Sequence, residues 1–392
     1  MDTASREGQK LLEGLATLQH KLARRLFRED VARDDGYCRF APEWLILCIN
    51  NFCNLKCRMC DVGIGERASV FWANMVGDDP GNMSLDLLKR VLDGAAAFKP
   101  LPKVGVAFTE PLIHVQILDF CKEIVERGFF CSITTNGFML PQRAESLVEI
   151  GVDEITVSVD GPPEVHDRIR GRAGSFERLY KGIEKLNAAS AISGRKRPRL
   201  NISTTITDYS YDQLRACLEE LTPLKPASIN IAHLSFITDE MVSAHNTVYA
   251  GELSVARSCL GDMSLNSIDL TRLAEEIAAV RAFASEHPSI EVTFHPDLGT
   301  VEQLERYYRE PESYIGGKRC TDPFKMMMVK TDGTVIPAHS RCYNYPLGRV
   351  QDAPLAEIWN NARYIAFRRL LHDAGGTLPA CTRCCGVVGK PG

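Results

Sequence analysis

The sequence predicts an α/β protein built on a parallel sheet and followed by a smaller, cysteine-bearing domain. Between residues 44 and 294, apolar β-rich runs alternate with helical patterns, and this alternation is typical of βα units. Past Pro296 the alternation stops and the composition changes. We therefore expect a helical segment over 1–43, an α/β domain over 44–300 and a further domain over 301–392.

Composition excludes several classes of protein. The 392 residues are 45% hydrophobic and 24% charged, which is ordinary for globular domains and too many residues for one small core. A formal net charge of -4 argues against a broad nucleic-acid surface, because such a surface needs clustered Lys and Arg. The sequence shows neither a signal-peptide pattern nor an apolar run of membrane length, so we expect a cytoplasmic protein whose 14 cysteines bind metal or stay free.

The first predicted element is an amphipathic helix from Gln9 to Phe27, with leucines at helical spacing and basic residues between them. We expect this helix to pack on the α/β domain. A membrane-surface helix is the less favoured alternative, because nearby acidic residues offset its arginines.

Seven strands and their connecting helices follow in order. The strands are predicted at Trp44–Ile49, Val104–Phe108, Phe130–Thr134, Glu154–Val159, Arg199–Ile206, Ser228–Leu234 and Glu291–Phe294. The helices are predicted at Ser84–Phe98, Val115–Arg127, Pro141–Ile150, Phe176–Ala189, Tyr211–Leu221 and Leu270–Glu286. This order fits an incomplete barrel or a doubly wound sheet, and in both architectures ligands bind at the carboxyl ends of the strands.

Three cysteines follow the first strand within eight residues, at Cys53, Cys57 and Cys60. A loop that leaves a buried strand can turn three thiolates toward one point. A cubane iron–sulfur cluster bound by only three cysteines keeps one iron open for another ligand. A zinc knuckle and chance clustering are the competing interpretations, but structural zinc takes four ligands and no fourth stands out nearby.

With this spacing the sequence resembles the radical S-adenosylmethionine (radical SAM) enzymes, whose hallmark is CxxxCxxC at the end of the first strand of a partial (β/α)6 barrel. The resemblance implies that the open iron of a 4Fe-4S cluster binds S-adenosyl-L-methionine (SAM) and that one electron cleaves SAM to a 5′-deoxyadenosyl radical. It also implies an electron donor such as flavodoxin or ferredoxin. Met59 stands where the family usually has an aromatic residue near the adenine.

Two strand ends carry segments similar to further motifs of this family. Residues 109–111 resemble the Gly-Gly-Glu-Pro segment that takes the SAM amino group, with Phe108 and Thr109 in place of the glycines. Residues 135–137 are similar to the Thr-Asn-Gly beside the cofactor. The resemblance implies SAM contacts from Thr109, Glu110 and Asn136, although either segment alone is a common turn.

The next three strands also end in polar side chains. Ser158 and Asp160 share one face at the end of the fourth strand, and their oxygens suit a ribose diol. Ser203 continues this alternation on the fifth strand, and His233 ends the sixth. We expect cofactor contacts from these four residues, with a satisfied core histidine as the ordinary alternative for His233. The stretch 157–171 resembles the radical SAM branch that carries SPASM or twitch C-terminal domains.

A long insert from Thr238 to Asn266 separates the sixth and seventh strands. Long connections at the functional end of a sheet are often lids or binding walls, so we expect this one to contact substrate. Plain helical packing accounts for the insert equally well. Its Cys259 is a speculative hydrogen-atom donor.

The C-terminal domain offers four thiolates for a second cluster. One cysteine precedes a predicted hairpin, one follows it, and a close pair lies beyond a helix. By spacing we choose Cys320, Cys342, Cys381 and Cys384, although Cys385 adjoins the last of them. The pattern resembles a twitch domain, which implies one auxiliary 4Fe-4S cluster. A structural zinc ribbon is the alternative.

The sequence thus predicts a radical SAM enzyme that removes hydrogen from a small hydroxylated substrate, such as a sugar or aminocyclitol in a biosynthetic pathway, with oxidation or epimerisation as the outcome. A ribosomal peptide or protein maturase is the alternative function. It is less favoured because peptide-modifying relatives often carry an extra recognition domain, and the segment before Trp44 is short. A non-catalytic zinc-binding scaffold is a third possibility. No catalytic base is assigned, and we expect no nucleic-acid or membrane partner.

Overall fold

The computed structural model describes residues 25–388, apart from residues 26, 30, 78–79, 195–197 and 316–318. The predicted helix from Gln9 to Phe27 falls almost wholly outside the described residues. None of the described helices combines the length and the hydropathy needed to cross a membrane.

In the described part of the chain, ten strands form one sheet. In chain order they are β1 Trp44–Leu47, β2 Lys103–Val106, β3 Cys131–Thr135, β4 Glu154–Ser158, β5 Arg199–Ile206, β6 Ser228–His233, β7 Glu291–His295, β8 Met326–Val329, β9 Thr334–Pro337 and β10 Gly348–Arg349. The spatial order is β10-β9-β8-β1-β2-β3-β4-β5-β6-β7. From β1 to β7 every neighbouring pair is parallel. This sequential order excludes the doubly wound alternative, in which the order reverses at a switch point, and confirms the predicted α/β fold class.

Helices connect the parallel strands, as predicted. In chain order the helices are α1 Asp61–Ile64, α2 Val70–Met75, α3 Leu85–Ala95, α4 Ile117–Glu126, α5 Leu140–Ile150, α6 Pro163–Arg170, α7 Ser175–Ser193, α8 Leu214–Leu221, α9 Asp239–Val248, α10 Leu270–Glu286, α11 Val301–Arg309, α12 Leu355–Ile358, α13 Ala362–Asp373 and α14 Cys385–Val388. The insert between β6 and β7 contains α9, so part of it is helical.

The two faces of the sheet differ in polarity. In β5, Ile202 and Ile206 are fully buried in the main core, which also contains leucines of α8. Asn201, Ser203 and Thr205 lie on the opposite face and remain partly exposed. β4 and β6 show the same alternation. The helices therefore cover an apolar face, while the inner face carries small polar side chains.

The predicted C-terminal hairpin is present, but it joins the main sheet. β8 pairs in parallel with β1, with Met326 opposite Trp44, and β9 pairs antiparallel with β8. Met327 and Val329 are fully buried in the same core as the parallel strands. The sheet thus continues past residue 300, and the boundary predicted there stays a prediction.

The segment before β1 is bound by the turn between α12 and α13. The Trp359 indole N–H donates to the Phe40 carbonyl at 2.8 Å. Asn360 exchanges two hydrogen bonds with the Cys38 backbone, at 2.9 and 2.8 Å. These hydrogen bonds therefore connect the N-terminal and C-terminal parts of the described chain.

Candidate active site

The cysteine loop leaves β1 and lies against the end of α6. The backbone N–H of Lys56 donates to the Arg170 carbonyl at 3.2 Å, and that of Arg58 donates to the Ile169 carbonyl at 2.9 Å. These bonds fix the middle of the loop in one position. The loop lies at the carboxyl end of the sheet, where the sequence predicts the ligand site.

The three cysteines of this loop are partly or fully removed from water. Cys57 is buried, while Cys53 and Cys60 are half-buried. Burial raises the pKa of Cys53 to about 11 and the pKa of Cys60 to about 12, and the nearby Cys57 contributes to both shifts. These thiols therefore stay protonated near neutral pH unless a bound cation favours the thiolates.

The sulfurs of the predicted cluster ligands do not form a compact set of zinc ligands. Zinc binds thiolates at about 2.3 Å, so its ligand sulfurs lie about 4 Å apart. Within the described ranges, the only group of at least three potential ligand atoms all within 4.8 Å is His339, Cys384 and Cys385. Neither the three loop cysteines nor any three of the predicted auxiliary ligands form such a group. Both donor sets consist of cysteines, whose thiolates are the ligands that iron–sulfur clusters take.

Glu110 connects the loops that follow β2 and β3. Its carboxylate accepts from the Thr135 hydroxyl at 2.6 Å, the Asn136 N–H at 2.7 Å and the Leu112 N–H at 3.0 Å. Burial raises the pKa of Glu110 to about 7, although these donors oppose the shift. Because protein donors occupy this carboxylate, its predicted contact with SAM stays a prediction, and its visible role is to position the neighbouring loop.

The other two residues from these motifs lie beside Glu110. The Thr109 hydroxyl donates to the Asn50 carbonyl at 2.7 Å. The Asn136 amide donates to the Asn54 side chain at 2.8 Å, and its nitrogen lies 3.8 Å from the Cys53 sulfur. The structure thus brings both predicted residues to the edge of the cysteine loop.

Phe108 adopts a backbone conformation that favours glycine. Its φ is 88°, a value that non-glycine residues rarely adopt. The sequence places Phe108 where the family has a glycine, and the backbone keeps the geometry that the glycine permits. A bulky side chain held at such a φ indicates a constrained functional loop.

Asp160 forms an ion pair with Arg170, a residue that sequence analysis did not single out. Its carboxylate forms an ion pair with Arg170 at 2.6 Å and accepts from the Thr205 N–H at 2.9 Å. Arg170 also donates to the Cys57 sulfur at 3.7 Å. Asp160 is fully buried in this network, so its expected ribose contact stays a prediction. The sequence signal for Arg170 was its position in the stretch 157–171, on the helix that follows Asp160.

The remaining predicted cofactor residues divide into two groups. Ser158 and Ser203 are opposite each other on β4 and β5, on the polar inner face. Met59 packs against the apolar group formed by Leu55, Cys57 and Phe138. These three remain candidates for cofactor contact.

His233 occupies a different environment. His233 is the last residue of β6 and lies on the buried face of that strand. It is 2% exposed, and its Nδ1 lies 2.8 Å from the Tyr308 hydroxyl. Burial lowers its pKa to about 3, so it is neutral at physiological pH. This placement supports the core-histidine alternative and not a cofactor contact, because alternation turns its side chain away from the inner face.

Cys259 lies in the insert, beside the cysteine loop. Its backbone N–H donates to Asp61 at 2.7 Å, and Ser258 donates to the same carboxylate at 2.6 Å. Cys259 packs in an apolar group with Phe71 and Met328, against which Cys60 also packs. The structure thus brings the insert to the cluster loop, while the role of Cys259 as a hydrogen donor stays a prediction.

Arg341 lies next to Cys259 and was missed by sequence analysis. Burial raises the pKa of Cys259, whereas the charge of Arg341 and a hydrogen bond from it oppose that increase. The Arg341 side chain is exposed to solvent. Its guanidinium lies 5.8 Å from the centre of the Phe71 ring. It also lines the cavity that contains Cys342 and Cys384, so it lies between Cys259 and the C-terminal cysteine group.

The four predicted auxiliary ligands line one cavity, together with His339 and Asp322; they are Cys320, Cys342, Cys381 and Cys384. The Tyr343 hydroxyl lies 3.2 Å from the Cys381 sulfur. Cys385 does not line this cavity and is exposed, with its sulfur 3.4 Å from His339 Nε2. This arrangement favours Cys384 over Cys385 as the fourth ligand.

Two family models match the chain. The radical SAM superfamily model matches residues 47–231, and the SPASM iron–sulfur cluster-binding domain model matches residues 320–385. Together they cover most of the chain and both cysteine groups.

Two similar proteins align with most of the chain. It is 25% identical over 362 residues to a tungsten-containing aldehyde ferredoxin oxidoreductase cofactor-modifying protein of Pyrococcus furiosus, covering 87% of each chain. It is 23% identical over 324 residues to pre-heme d1 synthase of Dinoroseobacter shibae, covering 78% of this chain and 70% of that one.

Solved structures share the fold. Streptococcus suis SuiB bound to precursor peptide SuiA has a TM-score of 0.59 at 15% identity, over 94% of this chain and 72% of SuiB. Native anSMEcpe with bound AdoMet has a TM-score of 0.57 at 16% identity, over 89% of this chain and 91% of that one.

Proposed function

The chain belongs to the radical SAM superfamily, in the branch with a C-terminal SPASM domain, and on this premise we propose that it oxidises a carboxylate-bearing substrate held between two iron–sulfur clusters. When bound, the cluster and SAM together would supply a 5′-deoxyadenosyl radical that removes a hydrogen atom from an unactivated carbon, and the auxiliary cluster would accept the remaining electron of the oxidation. The protein then has to bind, orient and shield the substrate.

We propose the following division of the site residues. Cys53, Cys57 and Cys60 hold the SAM-binding cluster, while Cys320, Cys342, Cys381 and Cys384 hold the auxiliary cluster. Met59, Thr109, Asn136, Ser158 and Ser203 contact SAM. Glu110 and Asp160 act on SAM through the residues that they position, because protein donors occupy both carboxylates.

The guanidinium of Arg341, which has no carboxylate partner among the described residues, is the single observation that supports a carboxylate-bearing substrate. No carboxylate lies within ion-pair distance of its guanidinium among the residues described here, and its exposed side chain lines the cavity that contains Cys342 and Cys384. A guanidinium binds a carboxylate with two parallel hydrogen bonds, and more strongly where water is partly excluded. Its position beside Cys259 and near Cys384 would hold the substrate between the two clusters.

The walls of the inner face support a substrate with polar and apolar parts. Serine, threonine and asparagine side chains line β4 to β6, whereas Ile46 and Met328 face inward from β1 and β8. Gly105 adds no side chain to that wall, and a Cβ there would lie 3.1 Å from Ile46. A carboxylated molecule with apolar parts matches this distribution of polar and apolar side chains.

The names of the relatives support a cofactor precursor as this substrate. Two proteins that align over most of their length are named for cofactor modification and for heme d1 precursor synthesis. The small sugar or aminocyclitol predicted from sequence has no such support and stays a prediction. A peptide is the second candidate, because SuiB, with a similar fold, binds its precursor peptide.

The experiment uses the enzyme purified and reconstituted anaerobically, with about eight iron atoms expected per chain. It is incubated with SAM and dithionite, together with a tetracarboxylic porphyrin, an acidic peptide or a neutral aminocyclitol. We expect 5′-deoxyadenosine above background, and a change in substrate mass, with the porphyrin. Replacing Cys53, Cys57 and Cys60 by alanine should abolish 5′-deoxyadenosine formation, whereas alanine at the four auxiliary cysteines should spare uncoupled cleavage.

Variants of Arg341 test the carboxylate contact. Arg341→Gln should raise the KM for the carboxylated substrate at least tenfold, and Arg341→Lys should raise it less because the charge remains. Arg90→Gln, on the exposed face of α3, is the control and should leave KM unchanged. Turnover of the neutral aminocyclitol, with no response to Arg341→Gln, would overturn the carboxylate proposal and restore the sugar prediction.

A further inference from the structure

We propose that the hydroxyl of Tyr343 donates a hydrogen bond to the Cys381 thiolate of the auxiliary cluster and thereby raises the reduction potential of that cluster. The inference rests on the proposed function, in which this cluster is the electron acceptor. One electron passes from the substrate radical to the oxidised cluster, while the substrate releases a proton to water. No covalent bond to Tyr343 forms or breaks, so Tyr343 is a positioning residue and not a catalytic one.

The hydroxyl of Tyr343 is the donor in this contact. Its oxygen lies 3.2 Å from the Cys381 sulfur. A cysteine that binds a metal is deprotonated and has no proton to give. A phenol, whose ordinary pKa is about 10, keeps its proton at neutral pH. When the cluster is bound, the hydrogen bond therefore runs from Tyr343 to the sulfur.

The surroundings of this contact strengthen its effect. Tyr343 is 5% exposed, and it lines the same cavity as Cys381. A reduced cluster is more negative than an oxidised one, so an O–H dipole directed at a ligand sulfur stabilises the reduced form more. This difference is larger where water is excluded. Hydrogen bonds to the sulfurs are among the factors that set the potential of iron–sulfur clusters.

Two neighbouring rings hold the Tyr343 ring in place. The His245 ring stacks on it with the centroids 5.3 Å apart and the planes at 19°, and the Phe367 ring of α13 lies at 6.2 Å. His245 is fully buried on α9, and its Nε2 donates to the Leu253 carbonyl at 2.8 Å. The insert between β6 and β7 therefore contributes to the auxiliary site through His245.

The backbone that carries Tyr343 is also fixed. The Asn74 amide, on α2, donates to the carbonyls of Ser340 and Cys342, both at 2.8 Å. The Tyr343 carbonyl accepts from the Tyr345 N–H at 2.8 Å. Ring packing and these backbone bonds together hold the hydroxyl in one position.

A second donor near the cavity lies closer to a sulfur outside the proposed ligand set. The Nε2 of His339 is 3.9 Å from the Cys384 sulfur and 3.4 Å from the Cys385 sulfur. Cys385 is not one of the four proposed ligands. Tyr343 therefore makes a shorter contact with a proposed ligand than His339 does.

The test measures the midpoint potential of the auxiliary cluster by itself. Alanine in place of the three cysteines of the loop after β1 removes the SAM-binding cluster, so that about four iron atoms per chain remain. In this background Tyr343→Phe removes the hydroxyl and keeps the ring. Tyr345→Phe is the matched control, because Tyr345 packs on the same Phe367 ring, at 5.5 Å, and loses the same group. An anaerobic redox titration followed by electron paramagnetic resonance gives each potential.

We expect Tyr343→Phe to lower the equilibrium constant for reduction about tenfold, which is a shift of about 59 mV to lower potential for a one-electron couple. Tyr345→Phe should keep the potential and the iron content of the background protein. His245→Ala should shift the potential in the same direction, whereas His245→Phe, which keeps a flat ring against Tyr343, should shift it less. Both His245 variants lose the hydrogen bond to Leu253, so the difference between them isolates the ring contact.

Three outcomes would overturn the proposal. One is an unchanged potential in Tyr343→Phe, and another is an equal shift in Tyr345→Phe. The third is a loss of iron in Tyr343→Phe, which would show that the hydroxyl is needed to assemble the cluster and not to set its potential. An equal potential in the two His245 variants would overturn the contribution of the insert.

The proposed function fails by a different measurement. In the enzyme with both clusters, Tyr343→Phe should leave the formation of 5′-deoxyadenosine unchanged and lower the fraction of it that yields oxidised product. An unchanged fraction, with the potential shifted as expected, would contradict electron transfer to this cluster, and so the proposed function. The hydrogen bond would still stand, because the potential of the auxiliary cluster tests it without any substrate.

Discussion

At the scale of single residues, the buried carboxyl group of Glu110 couples the site to pH. Three donors hold this group, yet burial still raises its pKa from 4.5 to about 7. The neutral form is therefore favoured in the folded protein. Its contribution to stability is fully present below pH 4.5 and is lost as the pH rises through about 7.

We predict that Glu110→Gln removes this dependence on pH. Between pH 5 and pH 8 the wild-type apoprotein should lose up to about 3 kcal/mol of unfolding free energy from this group, whereas the variant should not. Urea denaturation at several pH values measures the difference. Glu164→Gln, at an exposed position, is the control, and a slope in Glu110→Gln equal to that of the wild type would contradict the assignment.

Phe108 supplies a second prediction at this scale. Its φ of 88° costs about 1–2 kcal/mol in a residue with a Cβ. Phe108→Ala keeps the strain and loses the ring, whereas Phe108→Gly loses both. Alanine usually gives a more stable variant than glycine. Here the glycine variant should be the more stable one by about 1 kcal/mol, measured by chemical denaturation. An alanine variant of equal or greater stability would show that the backbone relaxes.

At the scale of elements, the end of α6 supports the cysteine loop. Gly171 ends the helix at a φ of 67°, and its backbone packs closely under the loop at Lys56. Gly174 has a similar φ of 74°, but nothing lies within 4 Å of the position of its Cβ. The two glycines therefore separate the effect of backbone strain from the effect of close packing.

We predict that only Gly171→Ala affects the cluster. Both alanine variants should lose about 1 kcal/mol of unfolding free energy, because both need a positive φ. Gly171→Ala should also displace the loop and lower the iron content from about eight to about four atoms per chain, with the auxiliary cluster intact. Iron analysis of the two variants checks this, and equal iron contents would refute the support by α6.

At the scale of the whole molecule, the C-terminal domain completes the sheet. β8 covers the edge of β1, and Trp359 and Asn360, in the turn between α12 and α13, bind the segment before β1. Arg368 is fully buried with its guanidinium 3.8 Å from the centre of the Tyr364 ring. The strand that leads into the cysteine loop is therefore held by residues far away in sequence.

We predict that a chain ending at residue 300 does not fold alone. Its β1 would present an open edge and an uncovered apolar surface, which favours aggregation. Size-exclusion chromatography and thermal unfolding followed by circular dichroism should show aggregates without a cooperative transition. A monomeric fragment with cooperative unfolding would instead support the independent domain that the sequence predicts over 44–300.

How much the sequence predicts depends on the range of the interaction. The succession of strands and helices along the chain and the bounds of β5 follow from alternation within a few residues, whereas the spatial order of the strands came from the structure. The spacing of Cys53, Cys57 and Cys60 is equally local. By contrast, the predicted cofactor contact of His233 depended on which face of β6 meets the core, and the structure places that residue beside Tyr308.

The sequence by itself determined the fold class, the family and the two cysteine groups, because periodicity, turns and ligand spacing are properties of short segments. Only the tertiary structure decided that Arg170 meets Cys57, that Arg341 meets Cys259, and that β8 pairs with β1. These interactions join segments more than 80 residues apart in sequence. The packing of the whole chain decides which residues meet in these contacts, and the local sequence pattern does not show it.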